Sequence, residues 1–115
     1  MRLCLETIAE ACGSGIPADA KSTVVTSVVT DSRRAVPGSL FVCIPGERVD
    51  GHDFAVKAVE NGACAVLAQR PIPELAARHP EVPVLMVDDT VKALGATARA
   101  WRKSFRGRAQ PEKQL

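Results

Sequence analysis

Residues 30–54 read TDSRRAVPGSLFVCIPGERVDGHDF, and this stretch decides the fold. A short apolar run at residues 40–44 is flanked by two polar loops, at residues 30–34 and 46–53. A continuous apolar run bounded by Pro and Gly is typical of a strand that is buried on both faces of a helix-covered sheet. The pattern therefore predicts a small α/β domain that presents two hydrogen-bonding loops at one edge of its sheet.

Three further strands are predicted on either side of this stretch. Residues 23–30 are rich in β-branched side chains, and residues 63–68 and 84–87 are short apolar runs bounded by turn residues. The connection from Thr30 to Leu40 is too short for a helical crossover, so we expect a small mixed β-sheet flanked by helices.

Helices are predicted between and beyond these strands. Apolar residues at helical spacing predict a helix over residues 5–12 that ends at Gly13. A second helix is expected from about Asp53 to residue 61, with Phe54 among the side chains that point inward. Prolines confine residues 74–79 to a short helical turn.

A long helix is predicted after an N-cap at residues 88–90. Its apolar residues recur at intervals of three and four, which predicts a buried stripe. The stripe consists of Val91, Leu94, Ala98, Trp101 and Phe105. Residues 108–115 have no periodicity and are predicted to form a tail.

Composition excludes several classes of function. The 115 residues carry a net charge of +2 and include no Tyr, one Trp and three Phe, which argues against a nucleic-acid-binding surface. No apolar run approaches the roughly 20 residues of a membrane span, and the first residues do not resemble a signal peptide, so we expect no membrane insertion and a cytoplasmic protein. The four cysteines lack the close paired spacing of a zinc site and are predicted to be reduced.

The first polar loop has two interpretations. Asp31 and Ser32 could simply hydrogen-bond their own backbone in a turn, as such residues often do. Alternatively, Ser32 contacts a polar ligand, and Arg33 or Arg34 offers a guanidinium fork to an anionic group. Spacing alone leaves both open.

The second polar loop, residues 46–53, contains Gly46 and Gly51, which permit unusual backbone geometry and close approach of a ligand. Exposed backbone amides and carbonyls in such a loop could read the edge of a planar heterocycle. A plain strand-to-helix connection capped by Asp50 or Asp53 is the alternative. A metal site is not expected, because no cluster of partner ligands occurs elsewhere in the sequence.

The sequence offers little for catalysis. It has two histidines, no Gly-x-Ser-x-Gly motif and no Gly-x-x-x-x-Gly-Lys-Ser/Thr motif, so neither a nucleophile elbow nor a P-loop is present. We expect a chain that binds a ligand and does not itself catalyse a reaction.

Two motifs together resemble the N-terminal domain of the Mur ligase family. They are Asp-Ser-Arg at residues 31–33 and Asp-Gly-His-Asp-Phe at residues 50–54. The segment 87–90, with Trp101 downstream, is similar to the stretch that leads this family into its central ATP-binding domain. The resemblance extends to about Phe105.

The resemblance implies a substrate-binding domain over residues 1–106, with residues 107–115 as a tail or a truncated linker to a missing ATP-binding domain. It implies that the full-length enzyme uses ATP and Mg, none of which is held by this chain. The implied substrate is a UDP-N-acetylmuramoyl-peptide whose carboxylate is activated as an acyl-phosphate and joined to an amine. The implied state is a monomer.

The resemblance also assigns site residues, all of them directed at the uridine diphosphate (UDP) part of the substrate. Ser32 would contact the nucleotide. The uracil would be lined, largely through backbone groups, by Glu47, Arg48 and Val49. The residues that would support or border the site are Asp31, Arg33, Asp50, Gly51 and His52.

Three identities remain open at this point. Gly-Glu-Arg at residues 46–48 and His-Asp-Phe at residues 52–54 favour the family members that add D-alanyl-D-alanine to the UDP-N-acetylmuramoyl-tripeptide. The sister ligases that add the third amino acid share a similar first domain. A stand-alone, non-catalytic protein-interaction module is the alternative from another class.

Overall fold

The computed structural model describes the backbone of residues 2–107 and the side chains of residues 2–103. Four helices and six strands are found in this part of the chain. The helices are α1 (Leu5–Cys12), α2 (Ala55–Glu60), α3 (Pro73–Arg78) and α4 (Thr90–Gly107). The strands are β1 (Leu3–Cys4), β2 (Val24–Val25), β3 (Ser27–Val29), β4 (Ser39–Val42), β5 (Ala65–Ala68) and β6 (Val84–Met86).

The main sheet has four parallel strands in the order β3-β4-β5-β6. A separate two-stranded sheet pairs β1 with β2 in the antiparallel sense. The α/β class with a helix-flanked sheet is therefore confirmed. We expected parallel and antiparallel pairs in one sheet, whereas the parallel pairs form the main sheet and the antiparallel pair forms the small one. Residues 30–38 can join parallel neighbours without an α-helix because a single 3₁₀ turn, Ser32–Arg34, makes the crossing.

Both faces of the main sheet are covered. Successive residues of β4 alternate between two cores: Leu40 and Val42 pack with α1 and α4, whereas Phe41 packs with α2 and α3. β5 alternates in the same way. This two-sided burial explains why the central strands are apolar throughout, as the sequence predicted.

The β-branched run at residues 23–30 forms two strands where we predicted one. The run is interrupted at the exposed Thr26, whose backbone N–H donates to the Gly38 carbonyl at 2.9 Å. β2 lies before this point and β3 after it, in different sheets. A propensity argument could not detect the break, because Thr is as favourable in a strand as Val.

The predicted C-terminal end of α1 and the predicted N-terminal cap of α4 are confirmed. Gly13 ends α1 with a left-handed φ of 73°. The Asp89 carboxylate caps α4 by accepting from the backbone N–H groups of Val91 at 2.9 Å and Lys92 at 3.1 Å. Of the helices that the structure describes, none combines the length and apolar character required to cross a bilayer.

The buried face of α4 differs from the predicted stripe. Val91 and Ala98 are exposed, and the buried side chains are those of Thr90, Ala93 and Thr97. Small residues occupy this face because α4 packs closely on α1: the Cys12 Sγ lies 3.5 Å from both the Ala93 carbonyl oxygen and the Thr97 Oγ1. The predicted Leu94 and Trp101 are half-buried on the flank of this face.

Two sequence predictions fall partly outside the described structure. The side chain of Phe105, which was assigned to the α4 stripe, lies beyond the described side chains. The predicted tail lies outside the described residues from position 108 onward.

Candidate ligand-binding site at the carboxyl edge of the sheet

A cavity of about 460 Å³ lies where β3 and β4 end. The carboxyl ends of parallel strands meet at one edge of a sheet, and this edge is where open α/β folds usually bind ligands. Each strand is followed by a 3₁₀ turn, Ser32–Arg34 after β3 and Gly51–Phe54 farther along after β4. The cavity is lined by Thr30, Asp31, Ser32, Arg33, Phe41, Ile44, Val49, Gly51 and Phe54.

One wall of the cavity is organised by an ion pair between Asp31 and Arg33. Asp31 caps its 3₁₀ turn by accepting from the Arg33 backbone N–H at 2.9 Å. The Arg33 side chain also donates to both carboxylate oxygens, from Nε at 3.1 Å and from Nη2 at 2.8 Å. The side-chain and backbone hydrogen bonds from Arg33 lower the pKa of Asp31 to about 2. The turn interpretation is thus confirmed for Asp31, which accepts a hydrogen bond from the backbone of its own turn. The loop also lines the cavity, and its contact with a ligand stays a prediction.

Ser32 is the buried polar residue of this wall, with 7% of its surface exposed. Its backbone carbonyl accepts from the Asn61 Nδ2 at 2.9 Å and from the Ala35 N–H at 3.2 Å. Its hydroxyl has no hydrogen-bond partner among the described residues. Buried hydroxyl groups are nearly always paired, so this one is available to a group inside the cavity.

The opposite wall is apolar. Val49 and Phe54 are large side chains that are 59% and 41% exposed, and the half-buried Ile44 also lines the cavity. The prediction that Phe54 points into the core is wrong, because the residue falls at the end of the 3₁₀ turn before α2 begins. Its ring instead forms part of the cavity, where it can pack against a flat ligand.

Gly51 allows the second loop to close tightly against the end of β4. Its N–H donates to the Ile44 carbonyl at 2.9 Å. A Cβ atom at this position would lie 2.6 Å from the Ile44 nitrogen. The expectation of unusual backbone geometry is wrong for Gly46 and Gly51, neither of which has a positive φ. The structure requires glycine at position 51 because two backbone segments approach each other.

Asp50 and His52 lie behind this wall and do not line the cavity. Asp50 accepts from the His52 backbone N–H at 3.0 Å and from the ring Nδ1 at 2.6 Å. These two hydrogen bonds, backbone first, lower the pKa of Asp50 to about 2. The Arg70 Nη2 contacts the second carboxylate oxygen at 3.2 Å. The ring Nε2 of the buried His52 accepts from the Gln69 backbone N–H at 2.9 Å.

The structure therefore divides the predicted site residues into three groups. Those that line the cavity are Asp31, Ser32, Arg33, Val49 and Gly51. Those that support it from behind are Asp50 and His52. Glu47 and Arg48 belong to the exposed loop and do not line the cavity.

Sequence reasoning missed two kinds of residue. Phe41 and Ile44 were assigned to a buried strand, yet both also line the cavity. Gln69 was not considered, although a polar residue immediately after the buried β5 lies at the same sheet edge as the predicted loops. The position of Gln69 directly after an apolar strand could have identified it as a candidate site residue.

A larger cleft of about 690 Å³ lies beside the edge strand β6 and α3. It contains none of the predicted site residues, and prolines and aliphatic side chains form most of its walls. We place the candidate site in the smaller cavity because it combines apolar side chains with a buried hydroxyl that has no partner among the described residues. Within residues 2–103, His, Cys, Asp and Glu side chains form no group of three or more that could hold a metal ion.

A parallel α/β sheet with a cavity at its carboxyl edge is the architecture of open α/β domains, which usually bind small molecules at this edge. The family model "Mur ligase family, catalytic domain" matches residues 24–102, which is more than half of the chain. The chain belongs to the Mur ligase family.

Curated relatives agree with this assignment. The UDP-N-acetylmuramoyl-L-alanyl-D-glutamate–2,6-diaminopimelate ligase of Bacillus velezensis is 46% identical over 91 residues, covering 79% of this chain and 16% of the relative. The enzyme of the same name from Halalkalibacterium halodurans is 47% identical over 74 residues, covering 64% of this chain and 14% of the relative. The chain thus spans about one sixth of the length of the curated relatives it matches.

Solved structures with the same fold are ligases of a different name. A crystal structure of MurF from Acinetobacter baumannii superposes with a TM-score of 0.75 at 29% identity, covering 91% of this chain and 22% of that one. MurF from Thermotoga maritima, in complex with ADP, gives a TM-score of 0.59 at 31% identity, covering 70% and 18%. The family is confirmed, whereas the preference for the D-alanyl-D-alanine-adding members is not.

Proposed function

We propose that the cavity binds the uridine diphosphate end of a UDP-N-acetylmuramoyl-peptide, and that the chain is the substrate-binding domain of a peptidoglycan-precursor ligase. The observation that carries this proposal is the Ser32 hydroxyl, which is buried at the cavity and unpaired among the described residues. A nucleotide would supply the missing hydrogen-bond partner.

The two walls suit the two halves of such a ligand. The apolar wall of Ile44, Val49 and Phe54 offers a surface on which a uracil ring can pack. Backbone groups of the 46–51 loop then lie beside the edge of the ring. On the polar side, Arg33 uses Nε and Nη2 for Asp31 and retains Nη1, and the exposed Arg34 is adjacent. Guanidinium groups suit the diphosphate.

ATP and Mg are proposed for the full-length ligase only. The residues of this chain do not fit their site, because the sequence lacks a P-loop motif and the described residues lack a metal-binding cluster. We assign this chain no step of the ATP chemistry. Its part is to bind and orient the substrate, as a monomer in the cytoplasm.

The amino acid that the parent ligase adds remains a proposal as well. The curated relatives at 40–47% identity are named as 2,6-diaminopimelate ligases, whereas the matched MurF structures are 28–31% identical. The higher identity supports a ligase that adds the third amino acid over one that adds D-alanyl-D-alanine.

The test is an NMR titration of the chain with uridine diphosphate, with adenosine diphosphate as the control. We expect shifts at residues 31–34 and 46–52 with the uridine compound alone. Equal shifts with both nucleotides would mean that the cavity does not select uracil. No response to either would overturn the proposal and favour the protein-interaction module.

A further inference from the structure

His52 is a buried titratable residue behind the cavity, with 3% of its surface exposed, and both of its ring nitrogens are engaged. Nδ1 lies 2.6 Å from an oxygen of Asp50, and Nε2 lies 2.9 Å from the backbone nitrogen of Gln69. The ring therefore bridges the cavity loop and the residue that follows β5.

These contacts fix which tautomer is present. The Gln69 backbone N–H can only donate, so Nε2 must be the bare acceptor. Nδ1 then carries the proton and donates it to the Asp50 carboxylate, which accepts only. The charged groups near the ring on this side are Asp50 itself, Arg70 and, 3.6 Å from Arg70, Asp53.

The loop that His52 anchors has few other attachments. Residues 45–49 are all exposed. Besides the His52 bridge, the loop is attached by the hydrogen bond from the Gly51 N–H to the Ile44 carbonyl, at 2.9 Å, and by the one from the exposed Arg70 Nη2 to the Asp50 carboxylate, at 3.2 Å. The position of Val49 and Gly51 relative to Ser32 across the cavity thus depends on an anchor that itself lies outside the cavity.

We propose that His52 is a positioning residue of the uridine diphosphate site: through Asp50 on one side and Gln69 on the other, it holds the apolar wall at the distance that the ligand requires. The inference rests on the proposed function. It differs from a direct ligand contact, since His52 does not line the cavity.

Two substitutions separate the two halves of the bridge. His52→Asn places an amide N–H near the position of Nδ1 and loses the acceptor for Gln69. His52→Gln places a carbonyl oxygen near the position of Nε2 and loses the donor to Asp50. Each variant loses one hydrogen bond, so we expect uridine diphosphate to bind about two- to tenfold more weakly. In His52→Asn alone, the Gln69 amide should exchange with solvent faster than in the wild type.

Ile8→Val is the matched control, because Ile8 is fully buried in the core on the opposite face of the sheet. It should lower stability and leave both the uridine diphosphate affinity and the Gln69 exchange rate unchanged. If Ile8→Val weakens binding as much as the His52 variants do, the effect is one of general stability and the inference is overturned.

The tautomer is measured on the wild-type protein, which keeps the inference testable even if a His52 variant does not fold. The ¹⁵N shifts of the ring should report a proton on Nδ1, and a proton on Nε2 would overturn the inference. Wild-type protein that does not bind uridine diphosphate would overturn the proposed function. In that case the positioning role of His52 is still tested by the rate of amide exchange at residues 46–51. This rate must rise in His52→Asn and must not rise in Ile8→Val.

Discussion

The Thr90 Oγ1 lies 2.7 Å from the carbonyl oxygen of Cys43, so the first residue of α4 is bonded to the residue that follows β4. The Gln69 Oε1 joins the same cluster, accepting from the Thr90 backbone N–H at 2.8 Å and lying 3.0 Å from its hydroxyl. Three chain segments thereby meet at the carboxyl edge of the sheet. The N-terminus of α4 is fixed to the edge that carries the candidate site.

Replacement of Thr90 by Val should destabilise the protein by about 1–3 kcal/mol, since the Cys43 carbonyl has no other partner among the described residues and would be left buried and unpaired. Urea denaturation of the two proteins measures the difference. Thr97→Val is the control, because the Thr97 hydroxyl donates within α4 to the Ala93 carbonyl at 2.8 Å, which keeps its helical N–H partner. A cost for Thr97→Val equal to that for Thr90→Val would refute the role assigned to the Cys43 contact.

Replacement of Gly51 by Ala should cost about 1–3 kcal/mol, because the new Cβ would meet the Ile44 backbone at 2.6 Å and backbone cannot move aside as a side chain can. Gly15→Ala is the matched substitution: no atom lies within 4 Å of its Cβ position and its φ is not positive. It should be neutral or stabilising by up to about 1 kcal/mol. Thermal unfolding of both variants checks the pair, and equal melting temperatures would contradict the close approach.

Ser32→Ala should separate binding from stability. The hydroxyl has no partner among the described residues, so its removal should leave the free energy of unfolding unchanged or slightly raised. Uridine diphosphate should nevertheless bind about 0.5–1.5 kcal/mol more weakly, the net worth of one hydrogen bond. Calorimetric titration and urea denaturation give the two quantities, and the exposed Ser22 offers Ser22→Ala as the control. Unchanged affinity would remove Ser32 from the site.

The Asp31–Arg33 ion pair should be detectable as a lowered pKa of the Asp31 carboxyl group. The pKa of Asp31 is lowered from 3.8 to about 2, so its contribution to stability is complete above about pH 4 and is lost as the pH falls through about 2. In Arg33→Ala, the Asp31 midpoint should rise toward 3.8, because the first cause of the shift is the Arg33 side-chain hydrogen bond.

An NMR titration of the aspartate side chains measures these midpoints. Arg34→Ala should change the Asp31 midpoint little, since Arg34 makes the smallest contribution to its shift. Asp50, whose pKa is also about 2 but depends on His52, serves as an internal reference. A normal Asp31 midpoint in the wild type would contradict the ion pair.

The sequence predicted those parts of the fold that depend on local chemistry. The uninterrupted apolar character of residues 40–44 predicted burial on both faces, and Gly13 and Asp89 marked helix ends that the structure confirms. These features depend on neighbours within a few residues, which a sequence displays directly. The parallel pairing of β3 with β4 was not predictable in this way, because a 3₁₀ turn replaced the expected helix in the crossing.

The candidate site was predictable as a region and not as a set of contacts. Both loops do flank one cavity, as the alternation of polar and apolar segments indicated. Asp50 and His52 support the apolar wall from behind and do not line the cavity. This arrangement depends on the hydrogen bond between His52 and the backbone N–H of Gln69, which lies 17 positions after His52 in the sequence. Sequence spacing cannot reveal such a contact, because it exists only once the β4 and β5 ends are aligned.

The face of α4 that is buried differs between the sequence prediction and the structure, and this difference can be tested. Periodicity predicted Ala98 on the buried stripe, whereas the structure buries Ala93 to 4% exposure and leaves Ala98 exposed. The two alanines belong to one helix and differ only in the face they occupy. The same substitution at each position therefore measures the orientation of the helix.

Ala93→Leu should destabilise the protein by about 1–3 kcal/mol, because the added atoms must enter the close contact between α4 and α1 near Cys12. Ala98→Leu should change stability by no more than about 0.5 kcal/mol, since the side chain points away from that contact. Chemical denaturation of the two variants in parallel decides between the registers. The opposite order of costs would mean that α4 is rotated by about one residue and that the stripe predicted from periodicity faces the core.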